Sequence, residues 1–208
     1  MAAPSHPDAL LRGRLLVFEG IDGTGKSTHI RLLREYLEER GVVVRASFEP
    51  TRGEWGMRVR SAALSGTRLS VQEEIDCLLR DRREHVEKLI RPALERGEWV
   101  LLDRYYLSMM AYQGATGADV QRIRELNEAF APVPDLAFWL DIPVELSMQR
   151  IAARGQGADA FEKRSFQEAV ARIYAAMRLP FLHRIDASGT AEQTQSAIRS
   201  IVQEMLGV

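Results

Sequence analysis

The chain has 208 residues, of which 28 are Lys or Arg and 29 are Asp or Glu, so its formal net charge is −1. This balance gives no basic field of the kind that attracts nucleic acid. No apolar run approaches the roughly 20 residues of a membrane span, and the first residues lack the apolar stretch of a signal peptide. The single cysteine, Cys77, excludes an internal disulfide and is typical of a reducing compartment. We therefore expect one cytoplasmic domain over residues 1–208.

A glycine-rich turn follows an apolar run of strand length at residues 15–18. Residues 20–27 match G-x-x-x-x-G-K-[ST], the P-loop pattern, in which successive backbone N–H groups converge on phosphate oxygens. The lysine of this pattern contacts the β- and γ-phosphates, and the hydroxyl after it binds Mg²⁺. A chance match in a tight turn would rarely lie between a buried strand and a helix. The expected nucleotide-binding residues are Gly20, Ile21, Asp22, Gly23, Thr24, Gly25, Lys26, Ser27 and Thr28.

The next segments alternate between helix and strand patterns. Apolar spacing predicts a helix over residues 27–40, and a β-branched run predicts a strand over 42–47. The polar segment that follows is either a binding loop at the end of that strand or an ordinary loop. Ser70 begins a capping-box pattern that opens a long helix to about residue 96. Pro92 lies inside this helix, so we expect a kink or two helical pieces there.

A second apolar strand, at residues 99–103, ends in Asp103, which is the Walker B arrangement. In P-loop proteins this carboxylate lies beside the P-loop and helps to hold the hydrated metal. Arg104 follows directly, and a cation beside a metal site indicates a second anion nearby. Residues 105–114 then place aromatic and amide side chains at the same edge of the predicted sheet.

The second half of the chain continues the alternation. Residues 119–130 predict a helix, 136–141 a strand and 184–186 a last short strand. Capping-box patterns predict further helices that begin at Ser165, running to about residue 179, and at Thr190. Five strands that alternate with helices predict an α/β fold. Its sheet is parallel, with helices on both faces and the site at the carboxyl ends of the strands.

A glycine-rich segment at residues 155–159 has basic residues on both sides, Arg150 and Arg154 before it and Lys163 and Arg164 after it. A lid that closes over phosphates requires hinges and cations, so we predict a lid at about residues 150–164. The alternative is a surface loop between ordinary helical arginines.

Two classes of P-loop protein compete, a GTPase-like switch and a small kinase. The guanine-reading sequence N-K-x-D is missing, because Asn127 is followed by Glu-Ala-Phe. The D-x-x-G beyond the P-loop lies late, at residues 186–189, where a switch would need it early. A kinase needs a second pocket for its phosphoryl acceptor, and residues 49–52, Arg82 and residues 104–113 offer groups for one. These features favour a kinase.

Five stretches resemble the thymidylate kinase family, in the same order along the chain. They are FEGIDGTGKST, FEPTRGEWGMRVR, DRREHVEKLIRPALERGEWVLLDRYYLSMMAYQG, DIPVELSMQRIAARG and IDASGT. The resemblance covers nearly the whole chain. It implies the nucleoside monophosphate kinase core with a lid, a homodimer, and phosphorylation of dTMP by ATP and Mg²⁺. No nucleic-acid or membrane partner is implied.

The resemblance also implies roles for donor-side residues. Lys26 and Ser27 match the residues that bind the donor phosphates and magnesium, and Asp103 matches a carboxylate that lies behind the metal's direct ligands. Asp22 matches the acidic residue that helps to place the metal and the acceptor phosphate. Arg150 and Arg154 match lid arginines. Thr24 stands where a variant of the family carries a P-loop arginine, so the catalytic cation is expected from the lid.

On the acceptor side, Arg104 matches the arginine that binds the dTMP phosphate. Arg82 matches the arginine that hydrogen-bonds the thymine, and Tyr112 matches the aromatic residue that lies against the deoxyribose. The other acceptor residues implied are Glu49, Arg52, Leu78 and Gln113. Three features depart from the family. Leu78 replaces a common phenylalanine, Met109 replaces a small or polar residue, and residues 49–52 replace the frequent E-P-G-G-T run.

The reaction expected from this resemblance is in-line phosphoryl transfer, which needs positioning and charge stabilisation and no covalent intermediate. The alternatives are another deoxynucleotide or deoxynucleoside kinase of the P-loop class and a non-catalytic P-loop binding module.

Overall fold

The computed structural model describes residues 12–65, 69–153 and 160–208. A sheet of five parallel strands lies at its centre, in the order β2-β3-β1-β4-β5. The strands are β1 Arg14–Glu19, β2 Val44–Phe48, β3 Trp99–Asp103, β4 Leu136–Asp141 and β5 Leu182–Asp186. The predicted α/β class and all five predicted strands are confirmed, with bounds that differ by no more than about two residues, the usual uncertainty of a strand end.

Helices connect the strands and cover the sheet. They are α1 Lys26–Glu38, α2 Glu54–Ser65, α3 Val71–His85, α4 Arg91–Glu95, α5 Tyr106–Ala115, α6 Val120–Glu128, α7 Val144–Ala152, α8 Ala160–Ala176 and α9 Ala191–Leu206. A π-helical turn, Val86–Ile90, joins α3 to α4. No helix in the described ranges is long and apolar enough to cross a membrane.

The interruption expected at Pro92 takes the form of this π-helical turn. Proline has no N–H, and its ring collides with the carbonyl four residues earlier, so regular α spacing cannot run through it. The N–H of Arg91 instead donates to the carbonyl of Val86, five residues back. The helical path continues, but α3 and α4 are separate pieces of regular helix.

Two helices and one helix start differ from the sequence predictions. Neither α2 nor α5 was predicted. Helix α5 is buried on almost every side, so it lacks the apolar periodicity that marks a surface helix. The predicted start at Ser165 is wrong, because α8 begins at Ala160. Glu168 there accepts from Arg164 at 2.9 Å, an ordinary i,i+4 pair within a helix.

The sheet register brings three strand ends together. Phe18 of β1, Phe48 of β2 and Asp103 of β3 lie side by side in the ladder. Strands β1, β3 and β4 are buried along most of their length, as parallel strands covered on both faces must be. The segments that leave these strands therefore share one edge of the sheet, the edge at which α/β proteins bind ligands.

Candidate active site

The P-loop between β1 and α1 depends on glycines for its path. Gly20, Gly23 and Gly25 have φ values of +130°, +78° and +92°, which residues other than glycine rarely adopt. At Gly20 a Cβ atom would also lie 2.6 Å from the carbonyl oxygen of Leu140. The loop can therefore fold tightly against β4 and turn its backbone towards the carboxyl ends of the strands.

Lys26 folds back over this loop. Its Nζ donates to the carbonyl oxygens of Gly20 at 3.2 Å and Ile21 at 3.0 Å, and the side chain is buried. Burial lowers the pKa of Lys26 to about 8, and the charge of Arg104 acts in the same direction, against the carboxylate of Asp103. The lysine is thus a weakly solvated cation that an incoming polyanion would stabilise.

Ser27 and Asp103 form a pair of oxygen ligands beside the loop. Ser27 Oγ donates to Asp103 Oδ2 at 2.7 Å, across 76 residues of sequence. The pairing of Phe18 with Asp103 in neighbouring strands explains this approach, because the P-loop starts two residues after Phe18. Hydroxyl and carboxylate oxygens are the ligands that Mg²⁺ prefers, so these two residues fit that ion.

Arg104 has φ = +70°, an uncommon value for a residue with a side chain. Its guanidinium donates to Asp22 at 2.6 Å, Ser108 Oγ at 3.0 Å and the Tyr112 hydroxyl at 3.0 Å. The guanidinium carbon also lies 4.8 Å from the centre of the Tyr112 ring. The strained backbone and these contacts hold the cation at the carboxyl end of β3.

A buried carboxylate, Glu19, supports this arrangement, and the sequence analysis did not identify it. Glu19 is fully buried and accepts from the Tyr105 N–H at 2.9 Å, the Tyr174 hydroxyl at 2.9 Å and Ser108 Oγ. Burial raises the pKa of Glu19, and the hydrogen bond from Ser108 and the charge of Arg104 oppose that rise. The sequence did contain one signal for Glu19, because it is a charged residue at the end of an otherwise apolar strand.

Two cavities meet at this edge of the sheet. The first has a volume of about 340 Å³ and is lined by Asp103 and by the P-loop residues Asp22, Gly23, Gly25, Lys26, Ser27 and Thr28. The second, of about 330 Å³, extends between α2, α3 and α5. Within the described ranges, the residues that line both cavities are Asp22, Glu49, Arg60 and Arg104. Two anions bound side by side would therefore share these two arginines.

Arg60 was not identified from the sequence, because α2 was not predicted. It lines both cavities, and its guanidinium donates to the carbonyl oxygen of Pro50. Arg52, which the resemblance implied, is exposed and lines neither cavity. Its guanidinium carbon lies 5.8 Å from the centre of the Phe48 ring. Of these two arginines, the one that lines the junction thus lies on α2 and not on the turn before it.

The inner end of the second cavity is suited to a flat, partly polar group. Leu78 and Met109 provide apolar surface there, and Arg82 and Gln113 provide polar groups. Gln113 Oε1 is buried and has no hydrogen-bond partner in the described part of the chain. Arg82 is buried and forms an ion pair with Glu49 at 2.6 Å. Tyr112 also lines this cavity, as the resemblance implied.

Arg150 of α7 lies against the P-loop. Its guanidinium is 3.4 Å from the carbonyl oxygens of both Gly23 and Ala187, which are long hydrogen bonds. Arg154 and the rest of the predicted glycine-rich segment lie outside the described residues. Within the P-loop itself Thr24 is buried, with its hydroxyl bonded locally to Ile21 at 3.2 Å.

Comparisons with known proteins agree with this architecture. A family model described as thymidylate kinase matches residues 18–198. A thymidylate kinase of Akkermansia muciniphila is 57% identical over 188 residues, covering 90% of each chain. One of Desulfotalea psychrophila is 45% identical over 195 residues, which is 93% of this chain and 96% of the relative. One of Xanthomonas campestris is 49% identical over 190 residues, 91% and 83% of the two chains. The chain therefore belongs to the thymidylate kinase family.

Proposed function

We propose that this chain transfers the γ-phosphoryl group of ATP to dTMP at the junction of its two cavities. The proposal rests on the wall that the two cavities share, which is formed by the residues that line both. The P-loop cavity suits a triphosphate, the second cavity suits a nucleoside monophosphate, and Arg60 and Arg104 line both. Reactants held side by side in this way need no covalent intermediate, because positioning and charge stabilisation supply most of the catalysis.

On the donor side, the P-loop backbone and Lys26 hold the β- and γ-phosphates. Ser27 Oγ and Asp103 Oδ2 are the groups that would hold Mg²⁺, which neutralises phosphate charge when it is bound. Lys26 keeps its ammonium group beside the P-loop carbonyls of Gly20 and Ile21 before the nucleotide binds. It then exchanges these weak contacts for phosphate oxygens.

On the acceptor side, Arg104 and Arg60 bind the phosphate of dTMP. The three hydrogen bonds of Arg104 to described residues come from Nη1 and Nη2, which leaves the Nε–H and one N–H of Nη1 for phosphate oxygens. Asp22 holds Arg104 in place at 2.6 Å. The attacking phosphate oxygen is already an anion at neutral pH, so no side chain has to remove a proton from it.

At the inner end of the acceptor cavity, Arg82 and Gln113 read the edge of the thymine, and Leu78 and Met109 pack against its face. The buried Gln113 Oε1 without a partner supports this assignment, because buried acceptors are normally hydrogen-bonded. Tyr112 lies against the sugar. The role of Arg52 in acceptor binding receives no support from its exposed position.

Arg150 and Arg154 supply positive charge where it develops during transfer. Thr24 occupies the P-loop turn in which an arginine could otherwise serve. Arg150 already lies within 3.4 Å of the Gly23 carbonyl. A cation that contacts the transferring group only in the closed complex stabilises the transition state more than the bound substrate.

A coupled assay of ADP release across dTMP, dUMP, dCMP, dGMP and UMP tests the function. We expect dTMP to give the highest kcat/KM and dCMP a low value, because its exocyclic amine would face the N–H of Arg82. Highest activity with a purine nucleotide would contradict the thymidylate assignment. Absence of acceptor-dependent ADP release would instead indicate a binding module.

We also propose that the enzyme is a cytoplasmic homodimer, with α2 at the interface. Met57 and Leu64 lie seven residues apart on one face of this helix, and Leu64 is 89% exposed. Val71, the first residue of α3, is a further exposed apolar side chain. Light scattering during gel filtration should give twice the mass of the chain, and Leu64→Asp should give a monomer. Val133→Asp, at an exposed position elsewhere, is the matched control.

A further inference from the structure

A cluster of buried polar side chains lies beneath the acceptor cavity. Glu49, Arg82, His85 and Asn127 are 4%, 2%, 7% and 0% exposed. Glu49 and Arg82 line the cavity, whereas His85 and Asn127 do not. Burying four such groups is costly unless each is bonded, so the way they are bonded determines what the cluster does.

His85 connects two parts of this cluster. Its Nδ1 lies 3.0 Å from Glu49 Oε1, and its Nε2 lies 2.8 Å from Ser47 Oγ. A carboxylate only accepts hydrogen bonds, so Nδ1 carries a proton, and in the neutral ring Nε2 accepts from the serine hydroxyl. Ser47 lines neither cavity, which makes it the end of this chain of hydrogen bonds and not a reactive group.

The other oxygen of Glu49 holds Arg82. Glu49 Oε2 accepts from Nε at 2.8 Å and lies 2.6 Å from Nη2. The two N–H groups of Nη1 are directed at Asn127 Oδ1 and, at 3.4 Å, at Met109 Sδ. Since a guanidinium has five N–H groups, these contacts with the described residues leave one, on Nη2, for a ligand in the cavity.

We propose that His85 is a positioning residue for base recognition. By donating to Oε1 of Glu49, His85 fixes the plane of that carboxylate and leaves Oε2 to Arg82. The guanidinium is then held so that its one available N–H points at a carbonyl oxygen of the acceptor's base. This inference rests on the proposed function, and it assigns to a residue outside the cavity a share of the preference for a pyrimidine with a carbonyl at that position.

Without the Nδ1 contact, the carboxylate of Glu49 can rotate and share both oxygens with Arg82. The guanidinium would follow, and its available N–H would leave the direction of the base. The KM for dTMP should then rise while the KM for ATP stays near its wild-type value, because the P-loop contacts involve none of these residues.

Two amide variants separate the contacts of the imidazole. The side-chain N–H of His85→Asn falls near the position of Nδ1 and can keep the bond to Glu49. The longer His85→Gln places its N–H near Nε2, where it can keep only the bond to Ser47. Both are buried amides with similar chemistry, so a general loss of packing would affect them alike. Ser47→Ala is a further control, because it removes only the far end of the chain.

The measurement is steady-state kinetics with dTMP and with dCMP as acceptors. We expect His85→Gln to raise the KM for dTMP about tenfold, the value of one well-placed hydrogen bond, and to reduce the preference for dTMP over dCMP. His85→Asn and Ser47→Ala should stay within about threefold of wild type, a range of less than one hydrogen bond. Equal dTMP KM values in the two amide variants would overturn the proposal.

If His85→Gln does not fold, His85→Asn and Ser47→Ala still decide the question. A raised dTMP KM or a lost base preference in either one overturns the inference, and wild-type values for both support it. Glu49→Gln should raise the dTMP KM by itself, and adding His85→Gln should then have little further effect, since both act on one arginine. A wild-type protein without activity on dTMP would instead overturn the proposed function.

Discussion

The donor and acceptor sides of this site are built in different ways. The donor side consists of consecutive P-loop residues and one strand end, and its groups are mainly backbone atoms, Lys26 and Ser27. The acceptor side consists of side chains from α2, α3 and α5 and from the segments that follow β2 and β3, with an ion pair between Arg82 and Glu49. A loop of local sequence therefore determines one half of the site, and long-range packing determines the other. Substitutions should affect the two halves in different ways.

The donor side should show the largest effect. Lys26→Ala should lower kcat/KM about a thousandfold or more, in line with the loss of a cation that contacts the transferring phosphates. The fold should persist, because the glycine φ values set the path of the P-loop and Lys26 adds only two hydrogen bonds to it. Circular dichroism provides the control. Wild-type turnover with an unchanged spectrum would show that Lys26 does not hold the donor phosphates.

Removing the arginines that we expect to act during phosphoryl transfer should have the next largest effect. Arg150→Ala, Arg154→Ala or both should lower kcat about a hundredfold, since an arginine acting in the transition state contributes several kcal/mol. The dissociation constant of ATP should change much less. Titration of ATP binding beside turnover separates the two quantities. Near-normal kcat in both single variants and in the double variant would contradict this role.

The acceptor side should respond through KM. Arg104→Ala should raise the KM for dTMP about ten- to a hundredfold, the value of a lost hydrogen bond between charged groups. Asp103→Asn, on the neighbouring residue, should instead raise the magnesium requirement and lower kcat. Equal effects of the two substitutions on the acceptor KM would remove the distinction between the two sides.

The pH dependence of the kinetic constants should also distinguish the donor side from the acceptor side. The pKa of Lys26 is lowered to about 8, so the free enzyme loses this charge as the pH rises through that value. The kcat/KM for ATP should fall about tenfold between roughly pH 7 and 9, because it reports groups of the free enzyme. At saturating ATP the phosphates keep Lys26 protonated, so kcat should change less. A flat kcat/KM profile would contradict the assignment.

We expect the smallest effect from a substitution in the part of the acceptor cavity that contacts the nucleotide base. Leu78→Phe adds an aromatic face to the inner end of the acceptor cavity, which is worth about 0.5–1.5 kcal/mol. The KM for dTMP should fall a few-fold, with little change in kcat. Leu78→Ile, which keeps the volume without a ring, is the control. If Met109 already fills this space, the phenylalanine variant will bind dTMP no better than wild type.

The same division explains what could be predicted from the sequence. Lys26, Ser27 and Asp103 follow from local patterns at strand ends, and the structure brings them together. Glu19 and Arg60 could not be identified in this way. Glu19 acts through hydrogen bonds to residues 86 to 155 positions away, and Arg60 lies on a helix with little apolar periodicity.

Helix boundaries show the same limit. The S-x-x-E pattern at Ser70 is a true capping box, with both reciprocal hydrogen bonds present. The same pattern at Ser165 lies inside α8. Four residues cannot distinguish a helix start from a helix interior, because the decision depends on whether the preceding turn packs against its neighbours. At Pro92 the missing N–H was a covalent constraint, and that prediction was reliable.

The shared wall between the cavities has a consequence for ligand design. A single molecule that joins a thymidine end to a polyphosphate end could occupy both cavities, since they meet at Arg60 and Arg104. Once one end is bound, the other is present at an effective concentration of about millimolar, provided the tether spans the junction. Affinity would then depend steeply on tether length, and the optimal number of linking phosphates would measure the distance between the two sites in solution.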